Sequence, residues 1–268
     1  MGQPGAITHA LLDIEGTTCS VAFVSSTLFP YARRQAGEFL TRHAHESAVR
    51  ALMEEIVSAW QNDPTACPPF PCGRDPDNES RDRDQGDPAE MAGDILPYLD
   101  HLIRNDIKLP AWKELQGMIW AEGYARGELE GPLFDDVPAA LRRWAVQGLV
   151  LAVYSSGSVA AQRLLYGHSS GGDLCPLFSH WFDTRIGGKK DPQSYGAIAA
   201  RMGADPASIL FVRDSLAELQ AAAAAELVVL FSDRPGNPEN NSEGFRRIGN
   251  FDGIDLRRLS ATNRVRQP

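Results

Sequence analysis

The feature that most constrains the fold is a series of short apolar runs that end in polar or glycine residues and alternate with helical patterns. The runs are ITHALLDIEG, LVLAVYSSGS, HWFDTRIGG, ASILFVRDS and LVVLFSDRPG. Between the later runs, segments such as VPAALRRWAVQG and SYGAIAARMG repeat apolar residues every three or four positions, as an amphipathic helix does. Strands that alternate with helices predict an α/β fold, in which a parallel sheet is covered by helices on both faces.

A long insertion separates the first predicted strand from the second. The intervening segment exceeds a hundred residues and contains four helical stretches, so it is much longer than one crossover connection. We therefore predict a catalytic core of residues 1–22 and 136–268, and an inserted helical cap of residues 23–135. Within the cap, residues 62–88 are rich in Pro, Gly, Asp and Arg and almost without aliphatic side chains. That composition predicts a mobile surface loop.

Charge and hydropathy exclude several classes of partner. The formal net charge of −9 argues against a mainly electrostatic grip on nucleic acid or on an anionic membrane surface, because both need a concentrated basic face. No stretch reaches the roughly 18 consecutive apolar residues of a membrane span, and the first residues lack a signal-peptide pattern. We expect a cytoplasmic monomer that has neither a nucleic-acid nor a membrane partner.

The cysteines do not indicate a structural framework. Cys19, Cys67, Cys72 and Cys175 are scattered over a chain of 268 residues, unlike the dense cysteines of a small secreted domain. Cys67 and Cys72 lie close together in CPPFPC, but a zinc site needs two further Cys or His ligands at matching spacing. Neither a zinc site nor a disulfide is therefore favoured for this pair.

Side chains capable of chemistry follow four of the predicted strands. In chain order they are Asp13 and Glu15, Ser155 and Ser156, Lys189, and Asp214, with Glu218 four residues further on. Each has an ordinary structural explanation when taken alone, since Asp and Ser cap helices and turns and lysines are common on surfaces. Because the carboxyl ends of parallel strands meet at one edge of a sheet, the whole set predicts a single site.

This order of residues suits phosphoryl transfer to a carboxylate. One carboxylate attacks phosphorus, and a second acid two residues away can protonate the leaving oxygen. Hydroxyl groups and a lysine can hold the phosphate oxygens, and a divalent cation can neutralise charge between the carboxylates and the phosphate. Magnesium fits these oxygen ligands, so we expect one Mg²⁺ per subunit.

The same order resembles the haloacid-dehalogenase-like phosphatase superfamily, whose first motif is usually Asp-x-Asp. The form LLDIEGTT, with Glu15 as the second acid, resembles the enolase-phosphatases of methionine salvage, also called acireductone synthases. Further stretches that resemble this family are FPYAR (29–33), LQGMIWAEGYARGEL (115–129), YSSGSVAAQRLLYGHSSGGDL (154–174), FDTRIGGKKDPQSY (182–195) and RPGN (234–237). The resemblance covers nearly the whole chain apart from the 62–88 loop and the two termini, and it includes the cap.

The resemblance implies a fold and an activity. The implied fold is a Rossmann-like parallel-sheet core of the haloacid-dehalogenase-like type with an inserted α-helical cap. The implied substrate is a small phosphorylated diketone, 2,3-diketo-5-methylthiopentyl-1-phosphate. Such an enzyme first enolises the diketone and then removes phosphate, which gives the acireductone 1,2-dihydroxy-3-keto-5-methylthiopentene.

The resemblance also implies roles for single residues. Asp13 matches the nucleophile and a metal ligand, and Glu15 matches the acid/base, with its backbone carbonyl on the metal. Asp214 matches a metal-binding acid. The residues that match substrate-binding positions are Ser155, Ser156 and Lys189. Lys189 can also stabilise the enolate, and Glu15 is our candidate for moving the proton.

One departure from the family lies next to Asp214, and two alternatives to the implied function stay open. The residue before Asp214 is usually a small hydroxyl residue, whereas here it is Arg213, whose guanidinium either competes for Asp214 or points away. The first alternative is a simple magnesium-dependent phosphatase on the same scaffold, which would not enolise its substrate. The second is a catalytically silent binding protein in which Arg213 has spoiled the metal site.

Overall fold

A computed structural model describes residues 6–69, 88–105, 107–238 and 241–259. It divides the chain into two compact units. The core unit comprises Met1–Phe23 and Leu129–Pro268, and the helical unit comprises Val24–Glu128. Among the described residues, no helix has the length and apolar character needed to cross a membrane.

The strands and helices follow one another in an α/β pattern interrupted by a run of helices. The strands are β1 (His9–Leu12), β2 (Val150–Tyr154), β3 (Phe178–Phe182), β4 (Ile209–Arg213), β5 (Val228–Ser232) and β6 (Arg247–Ile248). The helices are α1 (Phe29–His43), α2 (Ser47–Gln61), α3 (Pro88–Asp94), α4 (Leu96–Arg104), α5 (Pro110–Ala125), α6 (Asp136–Val146), α7 (Val159–Gly167), α8 (Pro192–Met202), α9 (Leu216–Ala224) and α10 (Leu256–Leu259).

Within the described part of the core unit, six strands form one parallel sheet in the order β3-β2-β1-β4-β5-β6. This confirms the predicted α/β class with a parallel sheet. The central strands are near-continuous apolar runs, as expected of strands covered on both faces, and Leu11, Ala152 and Phe211 are fully buried. β6 was not predicted, because a strand of two residues is too short to show a periodic pattern.

The register of the sheet fixes which strand ends meet. Leu12, the last residue of β1, pairs with Val153 of β2 on one side and with Val212 of β4 on the other. The residue that follows Leu12 therefore lies level with Tyr154 and Arg213. β1 is thus flanked by the two strands whose ends carry predicted site residues.

The helical unit contains α1–α5 and has its own buried core. In it, Trp60 stacks on Tyr98 with ring centroids 5.3 Å apart, and Trp120 Nε1 donates a hydrogen bond to the carbonyl of Leu28 (2.9 Å). The third of the four predicted helical stretches is split into α3 and α4 on either side of Ile95. The predicted 62–88 loop falls largely on residues 70–87, which lie outside the described residues.

The division between the units differs from the predicted boundaries of 22/23 and 135/136. The first lies one residue later, at Phe23, and the second lies seven residues earlier, at Leu129. The reason is that residues 129–135 bind to the core unit: the amide of Phe134 donates to the carbonyl of Thr18 (3.0 Å), and Leu133 pairs with Cys19. Within the described residues Cys19, Cys67 and Cys175 are free thiols, and Cys72 lies outside them.

Candidate active site

Asp13 lies at the centre of the carboxyl edge of the sheet. It directly follows β1, its side chain is buried, and its amide donates to the carbonyl of Val212 (3.4 Å). Because Leu12 pairs with Val212, Asp13 and Arg213 are neighbours at the same level of adjacent strands. The sheet register therefore brings a carboxylate and a guanidinium together that are 200 residues apart in sequence.

Both oxygens of the Asp13 carboxylate are held by cations. Lys189 Nζ donates a hydrogen bond of 2.5 Å to Oδ1, and Arg213 Nη1 donates to Oδ2. Lys189 belongs to the loop after β3, but its backbone carbonyl accepts a hydrogen bond from Tyr195 Oη (2.6 Å), and its ammonium lies 5.6 Å from the Tyr154 ring centroid. The structure thus brings Lys189 to Asp13, as the sequence predicted.

A tight turn after Asp13 carries Glu15 and Gly16. Gly16 has φ +72°, a region that suits glycine because it has no Cβ. Its carbonyl accepts hydrogen bonds from Ser232 Oγ (2.8 Å) and Asn237 Nδ2 (2.9 Å), and a Cβ built on it would collide with the Asp214 carboxylate. Glycine therefore permits the close approach of this turn to Asp214.

Glu15 is the half-buried acid of the turn. Burial and the nearby Asp13 carboxylate raise the pKa of Glu15 above its usual range, although Arg213 and Lys189 act in the opposite direction. A carboxyl group whose pKa is moved toward neutrality is suited to exchange protons with a substrate. Its backbone carbonyl accepts a hydrogen bond from Arg213 Nη1 (2.8 Å).

Arg213 points into the site rather than away from it. Its Nη1 contacts Asp13 and the Glu15 carbonyl, and its Nε lies 3.2 Å from Asp214 Oδ1 and 2.9 Å from Glu218 Oε2. Burial alone would lower the pKa of Arg213, but the surrounding carboxylates raise it. Of the two positions that the sequence left open for this side chain, the structure shows the one that competes for the acidic residues.

Asp214 and Glu218 complete the acidic side of the site. Asp214 is buried directly after β4, and burial raises its carboxyl pKa even though Arg213 lowers it. Glu218 is buried in the first turn of α9, and its Oε2 lies 3.0 Å from Lys189 Nζ. No role was predicted for Glu218. Its position in the first turn of the helix that follows Asp214 was the available signal, because the start of that helix lies at the carboxyl edge of the sheet.

The two predicted serines lie at the end of β2, beside β1. Ser155 is buried, its amide donates to the carbonyl of Phe182 (3.2 Å), and its Oγ accepts from the amide of Gly157 (3.4 Å). Ser156 is exposed. Ser158 is the residue that caps α7, since its Oγ accepts from the amide of Ala161 (3.3 Å). The capping explanation therefore applies to Ser158, and the side chains of Ser155 and Ser156 do not serve as that cap.

The donor chemistry of the site fits a hard divalent cation. The carboxylates of Asp13 and Asp214 and the carbonyl of Glu15 are oxygen ligands of the kind that Mg²⁺ prefers. Gly16 leaves the space beside Asp214 free of a side chain. Within the described residues, no three His, Cys, Asp or Glu side chains are arranged as a ready metal site. The acids face Arg213 and Lys189 instead.

Comparison with known proteins identifies the family. The haloacid dehalogenase-like hydrolase family matches residues 7–226. The chain is 48% identical over 250 residues to enolase-phosphatase E1 of Synechococcus sp. (strain WH7803), covering 93% of this chain and 100% of that protein. The chain belongs to the enolase-phosphatase E1 family of haloacid dehalogenase-like hydrolases. A further enolase-phosphatase E1, from Synechococcus elongatus (strain ATCC 33912 / PCC 7942 / FACHB-805), is 43% identical over 95% of this chain and 100% of its own.

Solved structures support the same fold. The UTR4 protein of Saccharomyces cerevisiae superimposes with a TM-score of 0.72 at 27% identity, over 92% of this chain and 100% of that chain. CbbY from Rhodobacter sphaeroides, solved in complex with phosphate, has a TM-score of 0.52 at 18% identity and shows the fold alone. This enolase-phosphatase E1 family member is therefore an enzyme, and its family implies a divalent metal.

Proposed function

We propose that this chain converts 2,3-diketo-5-methylthiopentyl-1-phosphate to 1,2-dihydroxy-3-keto-5-methylthiopentene and phosphate in methionine salvage. Its relatives named enolase-phosphatase E1, at 40–48% identity over most of the chain, support this activity. The observation that carries the proposal is the pairing of Asp13 with Lys189 at the carboxyl edge of the sheet, 2.5 Å apart. That pair supplies a nucleophile beside a phosphate-binding cation.

Enolisation is assigned to Glu15 and Lys189. The substrate loses a proton from carbon 1, next to the carbonyl at carbon 2, and a double bond forms between these two carbons. Glu15 accepts that proton, and its raised pKa lets it give the proton up again in the next step. The Lys189 ammonium stabilises the negative charge that develops on the carbonyl oxygen.

Phosphate removal is assigned to Asp13. An oxygen of its carboxylate forms a bond to phosphorus as the bond between phosphorus and the enol oxygen breaks. Protonated Glu15 gives its proton to that departing oxygen. Water then attacks the phosphorus of the aspartyl phosphate, which releases phosphate and restores the Asp13 carboxylate. The proton that this water loses balances the protonation of the enolate oxygen at carbon 2. Ser155 and Ser156 are proposed to hold phosphate oxygens through hydroxyl and amide groups, and Lys189 adds a positive charge to the same group.

Magnesium is the proposed metal. The residues that would hold it are Asp13 and Asp214 through their carboxylates and Glu15 through its backbone carbonyl. When bound, Mg²⁺ would neutralise charge on the phosphate and on the enolate oxygen. A cytoplasmic location and a monomeric state remain predictions from the sequence.

The test is an anaerobic assay of the purified protein with a diketo-alkyl-1-phosphate, in which enediol absorbance and free phosphate are followed together. We expect both signals with Mg²⁺, loss of both with EDTA, and recovery when Mg²⁺ is restored in excess. Phosphate release without enediol would support the simple phosphatase. Absence of both signals, together with absence of Mg²⁺ binding, would support the silent binding protein.

A further inference from the structure

A single side chain contacts all three of the proposed metal ligands. Arg213 Nη1 donates to Asp13 Oδ2 and, at 2.8 Å, to the carbonyl of Glu15. Its Nε lies 3.2 Å from Asp214 Oδ1. The guanidinium thus lies among the same oxygens to which the proposed function assigns Mg²⁺.

The guanidinium and a metal ion cannot use these oxygens together. Mg²⁺ needs its ligand oxygens at about 2.0–2.1 Å in a nearly octahedral arrangement. A nitrogen that donates hydrogen bonds to Asp13 and to the Glu15 carbonyl places its hydrogens where the ion would lie. Two cations that lie on the same oxygens also repel each other strongly in a buried site, because water screens them poorly there. Occupancy by one therefore requires withdrawal of the other.

The carboxylates of the site explain why either the Arg213 guanidinium or Mg²⁺ is stable there. Arg213 interacts with four carboxylates, those of Asp13, Glu15, Asp214 and Glu218. Its contact with Glu218 Oε2 at 2.9 Å is electrostatic, because it lacks the alignment of a hydrogen bond. Without Arg213, Lys189 would be the remaining cation among the described residues in contact with Asp13 and Glu218. The negative charge of the carboxylates would then be mostly unneutralised, and a divalent cation would neutralise it.

The structure offers Arg213 a place to which it can withdraw. An open cleft of about 360 Å³ lies beside the site. Its lining residues are Arg213, Asp214, Ser215, Leu216 and Asn241. The Arg213 side chain is 18% exposed, so it borders both the acidic site and this cleft. Rotation of its side chain toward the cleft is the movement that would free the oxygens.

We propose that Arg213 is an internal competitor for the metal site, bound to Asp13, Glu15 and Asp214 when the metal is absent and displaced when the metal binds. The inference rests on the metal site of the proposed function. It assigns to Arg213 the control of metal affinity: the chain binds Mg²⁺ more weakly than it would with a small residue at position 213. In the metal-free state, the Arg213 guanidinium then neutralises part of the negative charge of these acids.

The test is calorimetric titration of the EDTA-treated full chain with MgCl₂. We expect Arg213→Ser to bind Mg²⁺ at least tenfold more tightly than the wild type. The matched control is Arg201→Ser, which removes an exposed arginine at the end of α8 and should bind as the wild type does. Equal dissociation constants for the wild type and Arg213→Ser would overturn the competition and leave the metal site intact.

A second measurement follows Arg213 in the wild type. The NMR signal of its Nε–H group is assigned by its loss in Arg213→Gln. Its chemical shift should change as Mg²⁺ is added, over the same Mg²⁺ concentrations at which calorimetry detects binding. A signal that stays in place while Mg²⁺ binds would contradict displacement. This measurement also serves if Arg213→Ser does not fold. Failure of every variant and of the wild type to bind Mg²⁺ would instead remove the proposed metal site itself.

Discussion

Lys189 Nζ donates a hydrogen bond of 2.5 Å to Asp13 Oδ1, and the same ammonium lies 3.0 Å from Glu218 Oε2. The three residues come from the end of β1, the loop after β3 and the first turn of α9. Lys189 therefore links the proposed nucleophile to a buried acid. A substrate phosphate that reaches Asp13 would therefore interact with an ammonium that also contacts Asp13 and Glu218.

Replacing Lys189 by alanine should slow enolisation and weaken substrate binding. We expect kcat/KM to fall by about a hundredfold or more, the usual effect of removing one donor that stabilises an oxyanion. The measurement is the rate of enediol absorbance at low substrate under anaerobic conditions. Lys190→Ala is the matched control, because Lys190 is exposed next to Lys189. An unchanged rate in Lys189→Ala would remove this residue from the site.

Replacing Asp13 by asparagine should abolish phosphate release. The amide lacks the negative charge with which the carboxylate attacks phosphorus, so we expect a loss of more than about a thousandfold. Phosphate release is measured in a continuous assay, with Asp94→Asn as the control, since Asp94 is exposed on α3. Retained turnover in Asp13→Asn would show that another group attacks the phosphate.

Gly16→Ala should lose more activity than its loss of folding stability explains. The positive φ alone should cost about 1 kcal/mol, and the new Cβ would also push against the Asp214 carboxylate. Gly148→Ala is the matched control: Gly148 has φ +85°, and a Cβ built there meets no described atom within 4 Å. Both variants should lose stability in urea titrations, but only Gly16→Ala should lose most of its activity. Equal activity in the two variants would contradict this role of Gly16.

Asp136→Asn should destabilise the core unit in a pH-dependent manner. Arg234, nearly buried against Phe134 and Phe251, donates to both Asp136 oxygens at 2.7 and 2.9 Å. Burial tends to raise the pKa of Asp136, but the hydrogen bonds from Arg234 and from the Phe251 amide lower it overall. A lowered pKa in the folded state stabilises the fold above the unfolded-state pKa of about 3.9, and this contribution is lost as the pH falls through the folded-state value.

The measurement is the free energy of unfolding in urea at pH 7, 5 and 3.5. The loss in Asp136→Asn should be about 2 kcal/mol at pH 7 and should shrink at the lowest pH. Asp233→Asn removes an exposed ion pair with Arg247 and should cost less than about 1 kcal/mol. A loss in Asp136→Asn that does not vary with pH would exclude the proposed role of this carboxylate charge.

The sequence predicted the parallel sheet and the residues that gather at its carboxyl edge in the candidate site, because strand ends are visible in it. The predicted apolar runs correspond to β1, β2, β3, β4 and β5. Asp13, Lys189 and Asp214 each follow one of these runs in the sequence, and this placement alone puts them at the carboxyl edge of the sheet. The orientation of Arg213 was not predictable, because it depends on the register that aligns Leu12 with Val212. Glu218 was named after Asp214 without a role, because its contact with Lys189 depends on the fold of the loop after β3.

The boundary between the two units depends on contacts between residues far apart in the sequence. Residues 129–135 carry no strong periodic pattern, so the sequence gives no signal for the contacts of Leu133 and Phe134 with the turn at Thr18 and Cys19. These are long-range backbone contacts, which local composition does not record. The split of one predicted helix at Ile95 is likewise a matter of tertiary packing, because Ile95 itself is fully buried.

The most direct test of the proposed function is a single anaerobic turnover of the wild-type enzyme with the diketo-alkyl-1-phosphate and Mg²⁺. Enediol absorbance and free phosphate are recorded on one sample, with enzyme in excess over substrate. We expect both products to form in amounts equal to the substrate. A full yield of phosphate with no enediol would contradict the proposed function and would leave a simple phosphatase.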